Sequence, residues 1–367
     1  MKRIIVFIIL LFVFAFPINA DSIYDTQYEN IGADSIENGI DKQTLDFMQD
    51  NGIDAKNPGW VNNMTVSNVF SHIGQFVKNG AKTTVKSGVL IASVIFLAAA
   101  LTAFGTVPHF ETAIYAATLT IGAVISGSIW QSISSAINAL KGCSMFMTAF
   151  VPIFASVMAL SGKTVTAPAM SALLLGAAEI VSVISSFTVL PLIGGYLALS
   201  VSSGVSPLIN GAGIADSVKK ISVWIISLFS TVFVGILGIQ TAVNSAADSV
   251  TMRTAKFILG TSVPIAGSAL GEAAATISAS VGLLRSSIGM YGVVALVFIL
   301  LPIIIELVLW RLVLMLNITL SETFSLPKIT GILKSVDSML ALLIGIIMMI
   351  GGMFIISLTV VVTAGKA

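Results

Sequence analysis

The sequence predicts an all-α fold: a polytopic transmembrane helix bundle of about seven to eight spans, preceded by a signal peptide and a short exported region. Three observations carry this expectation. Of 367 residues, 56% are hydrophobic and only 10% charged, with a mean hydropathy of +1.02. Soluble domains carry roughly 25% charged and about 45–50% apolar residues, so this chain lacks the polar side chains to cover a soluble surface. Second, the charge is uneven. Asp21 to Trp60 holds nine acids against two bases, Lys42 and Lys56, whereas everything from Gly88 onward holds 11 bases and 8 acids. Third, that long remainder breaks into apolar segments close to the ~20 residues that cross a hydrocarbon core.

Composition also excludes functions. A net charge of +1 and a pI near 7.8 offer no basic excess for phosphates, so no nucleic acid is expected as a partner. The single cysteine, Cys143, cannot form an intramolecular disulfide, and with two histidines it makes no recognisable zinc set.

Residues 1–20 read as a signal peptide. Lys2-Arg3 form the basic end, Ile4 to Phe16 is an apolar run, and Pro17-Ile18-Asn19-Ala20 breaks the helix before Asp21. Such a run is short for a span and suits a secretory signal cleaved after Ala20. An uncleaved signal anchor is the alternative. With no cysteine nearby, lipoprotein processing is excluded.

Residues 21–87 then form the exported, acidic region. Asn38-Gly39, Asn51-Gly52 and Asn57-Pro58-Gly59 are turn signals, and a short helix is expected from about Asp41 to Gln49. Val66, Val69, Phe70, Ile73, Phe76 and Val77 recur at helical spacing, so 66–77 predicts an amphipathic helix. It either lies on the lipid bilayer, its lysines meeting phosphates, or packs against a partner or the protein's own loops.

The bundle, 88–367, is expected to contain spans at Gly88–Val107, Ala113–Ile133, Cys143–Ser161, Ala167–Phe187, Thr188–Val205, Ile221–Val243, Ile288–Trp310 and Met339–Ala364. The fourth and fifth adjoin around Ser186 to Pro191, which implies a tight hairpin. Residues 258–284, rich in Gly, Ala and Ser and interrupted by Glu272, suit a re-entrant or amphipathic element. With a cleaved signal, this count places six bases in inside loops and eight outside, so the positive-inside rule decides nothing.

Pro152, Pro264 and Pro302 are candidate kink residues. Val151-Pro152-Ile153 and Val263-Pro264-Ile265 echo each other, as either an internal duplication or a coincidence in so apolar a chain. The candidate intramembrane polar residues are Glu179, Glu306, Glu272 and Arg285. A carboxylate at membrane depth must be paired, protonated or facing water, so Glu179 and Glu306 are either functional or hydrogen-bonded packing points. Glu272 and Arg285 could line a polar path. Glu306 and Arg311, five apart, do not share a helical face, and Arg311 could snorkel to the interface beside Trp310.

No enzyme is expected. His72 and His109 belong to no H-E-x-x-H pair, and no G-x-S-x-G elbow or G-x-x-x-x-G-K-[ST] loop occurs. No catalytic, cofactor-binding or metal-binding residues are therefore assigned.

The order of features resembles one family, stage III sporulation protein AE of endospore-forming bacteria. The signal and acidic region are followed by Phe146-Met147-Thr148-Ala149-Phe150-Val151-Pro152-Ile153-Phe154. Then come Arg253-Thr254-Ala255-Lys256-Phe257-Ile258-Leu259-Gly260, Ser262-Val263-Pro264-Ile265-Ala266-Gly267, and Leu283-Leu284-Arg285-Ser286-Ser287-Ile288-Gly289 leading into the Glu306 segment. The similarity covers most of the chain and departs mainly in residues 21–65. The resemblance implies a membrane subunit of a secretion or feeding channel in the mother-cell membrane around the forespore (the outer forespore membrane), needed for late forespore development. Implied partners are the other stage III sporulation A-operon membrane subunits, including an ATPase and ring-forming proteins, and a forespore-side partner in the intermembrane space. No catalytic residues or cofactors come with it. The alternative is a stand-alone proton-coupled secondary transporter working through Glu179 or Glu306.

Overall fold

The structure is a computed structural model that describes residues 20–57, 59–60, 66–103, 110–205, 211–262 and 267–363. The expected signal peptide, apart from Ala20, and Pro264 lie outside the described residues. Two short helices come first, α1 (Ala20–Asn30) and α2 (Lys42–Asp50), separated by a 3-10 segment, Ala33–Gly39. Then follow α3 (Val66–Ala103), α4 (Phe110–Leu160), α5 (Thr166–Ile184), a π turn at Ser185–Val189, α6 (Leu190–Val205), α7 (Gly211–Ser262), α8 (Gly267–Thr323) and α9 (Pro327–Thr363). Among the described residues there is no strand, and six helical runs are long and apolar enough to cross a membrane.

The eight expected spans thus fall on six helical runs. Ala113–Ile133 and Cys143–Ser161 both lie on α4, a single helix of 51 residues. The polar dip between them is not a loop. Ser132, Ser135, Asn138 and Gly142 recur at three- and four-residue steps and share a face, so they make one polar wall of an unbroken helix. Average hydropathy registers their polarity but not their period. The expected hairpin at Ser186–Pro191 is likewise overturned: Thr166–Ser202 runs on as one candidate span. Pro191 has no N–H to give its own preceding turn, and the chain widens into the π turn just before it instead of reversing. Ser185 and Ser186 donate to the carbonyls of Val181 and Ser182, at 2.7 and 3.0 Å.

Residues 66–77 continue without a break into α3. Most of the side chains of that stripe lie outside the description. The weak segment 258–284 is divided between the end of α7 and the first turns of α8. Pro152 and Pro302 sit inside continuous helices.

Helix α8, of 57 residues, is the hub, packing on α9, α3, α4 and α1. At about 1.5 Å per residue, α4 and α8 are about 76 and 85 Å long, far beyond a hydrocarbon core of about 30 Å. Their seam is a ladder of phenylalanines on α4. Phe146, Phe150 and Phe154 are buried, with ring centroids 5.2 and 5.4 Å apart. Phe150 and Phe154 meet glycines with their rings, and the backbone at Phe146 meets a third. A Cβ on Gly39 would lie 3.0 Å from the Phe146 Cα, one on Gly292 would lie 2.5 Å from the Phe150 ring, and one on Gly289 would press on Phe154 and Val362. Absent side chains at these three positions are what let the backbones approach.

The acidic segment is anchored to this seam. Asp41 caps α2, accepting from Thr44 N at 3.0 Å, and Gly52 closes it in the left-handed region with Ile53 N donating to Met48 O at 2.8 Å. Tyr24 donates its hydroxyl to Ala55 O at 2.7 Å, and Phe47 packs on Phe298 of α8 at 4.3 Å between ring centroids. Asp25, Glu29, Asp34, Asp46, Asp50 and Asp54 face outward, so the segment is apolar toward the bundle and acidic away from it.

Two tight corners join the long helices. Gly162, at φ 79°, ends α4 with Lys163 N donating to Met158 O at 3.0 Å. Ser325 does the same between α8 and α9 at φ 55°, with Leu326 N donating to Ser321 O at 3.0 Å. Across the second corner Arg311 grips Asp337 with two parallel bonds, Nε to Oδ1 at 2.8 Å and Nη2 to Oδ2 at 3.1 Å. Arg311 is therefore an interhelical ion-pair partner, with 42% of its side chain still exposed.

Two outcomes follow. Gly292→Val should overpack the Phe150 notch and lower stability by about 1–3 kcal/mol, read as thermal unfolding of purified protein in detergent. The second concerns Glu37. Burial first, then the charges of Asp54 and Asp34, holds its carboxyl above the ordinary carboxylate range. The folded segment binds that proton more tightly than the unfolded chain. Its contribution to stability is therefore complete below the ordinary value and lost as pH rises through the raised one. Glu37→Gln should flatten this loss, measured as amide hydrogen exchange of residues 20–60 from acidic to neutral pH.

Candidate functional site

The polar wall of α4 faces one side of α8, on which Ile299, Pro302, Ile303 and Glu306 recur at helical spacing. Between these helices lies a cavity of about 430 Å³, bounded by Ser135, Asn138 and Gly142 of α4, by those four α8 residues, and by Gly80 of α3. Its remaining wall comes from the acidic segment: Asp41, Gln43 and Thr44 at the start of α2. The docked segment thus supplies one wall of a cavity that stays partly open.

Glu306 accepts a hydrogen bond from Ser132 Oγ, itself buried on α4. One turn earlier, Pro302 provides no N–H, which leaves the Phe298 carbonyl without its helical donor. Two carboxylates, Asp41 and Glu306, share the cavity, and no lysine, arginine or histidine is among its lining residues. Such a lining accommodates water, a proton or a small cation, and it explains how an acid can sit in an apolar helix: the carboxylate faces a polar cavity and a hydroxyl instead of lipid. Among the described residues no group of three or more His, Cys, Asp and Glu gathers to hold a metal ion.

The other sequence candidates are not brought to this cavity. Glu179 lies on the outward face of α5. Glu272 is in the early turns of α8, and its side chain lies outside the description. Arg285 does not line a path. It is buried, and its Nη2 donates to Val361 O at 3.0 Å and to Val362 O. These are among the last carbonyls of α9, which have no partner within their own helix, so Arg285 caps α9 from α8.

Two groups that escaped sequence reasoning carry similar duties. Asp248 of α7 is fully buried and accepts from Val165 N at 2.8 Å, from Thr166 N at 3.2 Å, and from the Thr166 hydroxyl. It caps the start of α5 from a distant helix, and a partner 82 positions away leaves no local signal. Asp337 was more accessible to inference. It and Arg311 lie about equally far from the corner at Ser325, which puts them at one height on an antiparallel helix pair.

Asp248→Ala should leave two backbone N–H groups and a hydroxyl unpaired and lower stability by about 2–3 kcal/mol. Glu306→Gln keeps an acceptor for Ser132 and should change it by no more than about 0.5 kcal/mol. Denaturant unfolding in micelles separates the two.

The family described as stage III sporulation protein AE matches residues 44–365. A relative named Stage III sporulation protein AE, from Bacillus subtilis (strain 168), is 26% identical over 239 residues, which is 65% of this chain and 60% of the relative. The aligned part thus spans well under two thirds of that relative's length. No solved structure matches this chain. The family match takes in most of the acidic segment's second helix, the phenylalanine ladder, Glu306 and all six membrane-length helices, and on it the chain belongs to the stage III sporulation protein AE family.

Proposed function

We propose that the protein is an integral membrane subunit of the channel between mother cell and forespore, a secretion or feeding complex needed for late forespore development during endospore formation. Family membership supports a role in sporulation, and six membrane-length helices support a membrane protein. The family match across residues 44–365 is the observation that carries the reading. On it, the protein resides in the mother-cell membrane around the forespore. A signal peptide at 1–20 sends residues 21–87 into the intermembrane space, where the outward acids of the α1–α2 segment meet water. The partners are the other A-operon membrane subunits, including an ATPase and ring-forming proteins, and a forespore-side protein in the same space. The bundle then acts as the permease-like core, and the chain does no chemistry of its own.

The Glu306 cavity favours a second reading, a stand-alone proton-coupled transporter, because an acid in a polar cavity within an apolar helix is the usual seat of a proton relay. Affinity purification of tagged protein from sporulating cells separates the two. A subunit should bring down other A-operon membrane proteins in amounts comparable to its own, and Glu306→Gln should leave both that recovery and late forespore gene expression intact. Purified protein that alone moves a solute into liposomes along a pH gradient, with Glu306→Gln abolishing the movement, would overturn the first reading in favour of the second.

A further inference from the structure

Glu179 is the single charged residue between Lys163 and Asp216. The run Thr166–Ser202 is about 55 Å long at about 1.5 Å per residue. Glu179 lies five residues from its middle, about 8 Å along the axis, so a hydrocarbon core of about 30 Å centred on the run would enclose it. Its side chain is exposed on the outside of the bundle and finds no partner among the described residues. Other charges within the described long helices have partners: Glu306 has Ser132, Asp248 the start of α5, Arg311 Asp337, and the Arg285 Nη2 the end of α9. An unanswered carboxylate facing lipid is expensive, so this face is incomplete in the single chain.

Its surroundings suit a helix. Ala172 and Gly176 lie on the same exposed stripe, and a Cβ on Gly176 would meet nothing within 4 Å. Small residues at this spacing let a neighbouring backbone come close. Val183 and Phe187 extend the stripe at 46% and 79% exposure. Beside it, a groove of about 230 Å³ runs between α5 and α7. A two-fold contact centred on this stripe would set Glu179 against its own like charge, and Arg285 and Arg311 of α8 already donate within the chain.

We propose that the outward face of α5 around Glu179 is a docking surface for a membrane-spanning helix of a different subunit, one that carries a lysine or arginine at the depth of Glu179. The proposal rests on the reading of the chain as a subunit of a larger membrane complex and names the chemistry of one contact in it. The ion pair forms across the interface, with Ala172 and Gly176 admitting the partner's backbone.

A photo-crosslinking phenylalanine analogue placed at Val183 of the full-length protein, in sporulating cells, tests it. The expected adduct is with one identified membrane protein, through a helix that contains a lysine or arginine. Glu179→Lys should reduce that adduct at least tenfold, and changing the partner's base to glutamate should restore it. Glu179→Leu, which suits an apolar face and should unfold at the wild-type temperature, should also reduce it. Adducts with a second copy of the chain, with lipid alone, or with a helix lacking a base would overturn the proposal, as would an adduct indifferent to Glu179. If wild-type protein co-purifies with its complex while the adduct fails, only this contact is wrong; if it co-purifies with no membrane subunit, the complex reading itself falls.

Discussion

The phenylalanine ladder of α4, set into glycine notches, is the constraint on which the architecture hangs. A bundle in lipid gains little by hiding apolar surface, since lipid tails are as apolar as leucine, and association there depends on close packing. Phe150 against Gly292 and Phe154 against Gly289 bring α4 and α8 together, and Val362 on the other side of Gly289 brings in α9. Gly39 against Ala149 and the α4 backbone at Phe146 brings the acidic segment onto the same helix, so the part rich in charge and the part almost without it share one core.

Polar groups are handled by a second rule. Because no water reaches the interior to satisfy loose backbone groups, charged side chains are used as caps and ties between helices distant in sequence. Asp248 closes the start of α5, Arg285 closes the end of α9, and Arg311 with Asp337 clasps α8 to α9. Sparse charge in such a chain is concentrated where a helix end or a long hairpin needs it. Glu306 departs from this pattern, since it tops no helix and faces a cavity that is walled partly by the docked segment.

That cavity is lined from both halves of the chain. The contacts that seat the α1–α2 segment against α4 and α8, Gly39 on the α4 backbone at Phe146 and Phe47 on Phe298, are apolar and local.

Much of this was legible in the residues themselves. Hydropathy and charge placement determined by themselves that the chain is an all-helical membrane bundle with an acidic segment at its front, because burial in lipid depends on composition over ~20 residues and not on what packs against them. Turn chemistry marked Gly52, since only glycine adopts its left-handed backbone at no steric cost. Tertiary structure alone decided where helices end and what the isolated acids touch. The dip at Ser132–Gly142 reads as a loop until its period is matched to a cavity, and Pro191 reads as a reversal until a π turn absorbs it. Arg285 reads as part of a polar path until the carbonyls of α9, 76 positions away, are seen to take its hydrogen bonds. The physical reason is common to all three: a polar residue in an apolar helix must be satisfied, but its partner comes from whichever helix packs beside it, and that is set by close approach in space, not by neighbours in sequence.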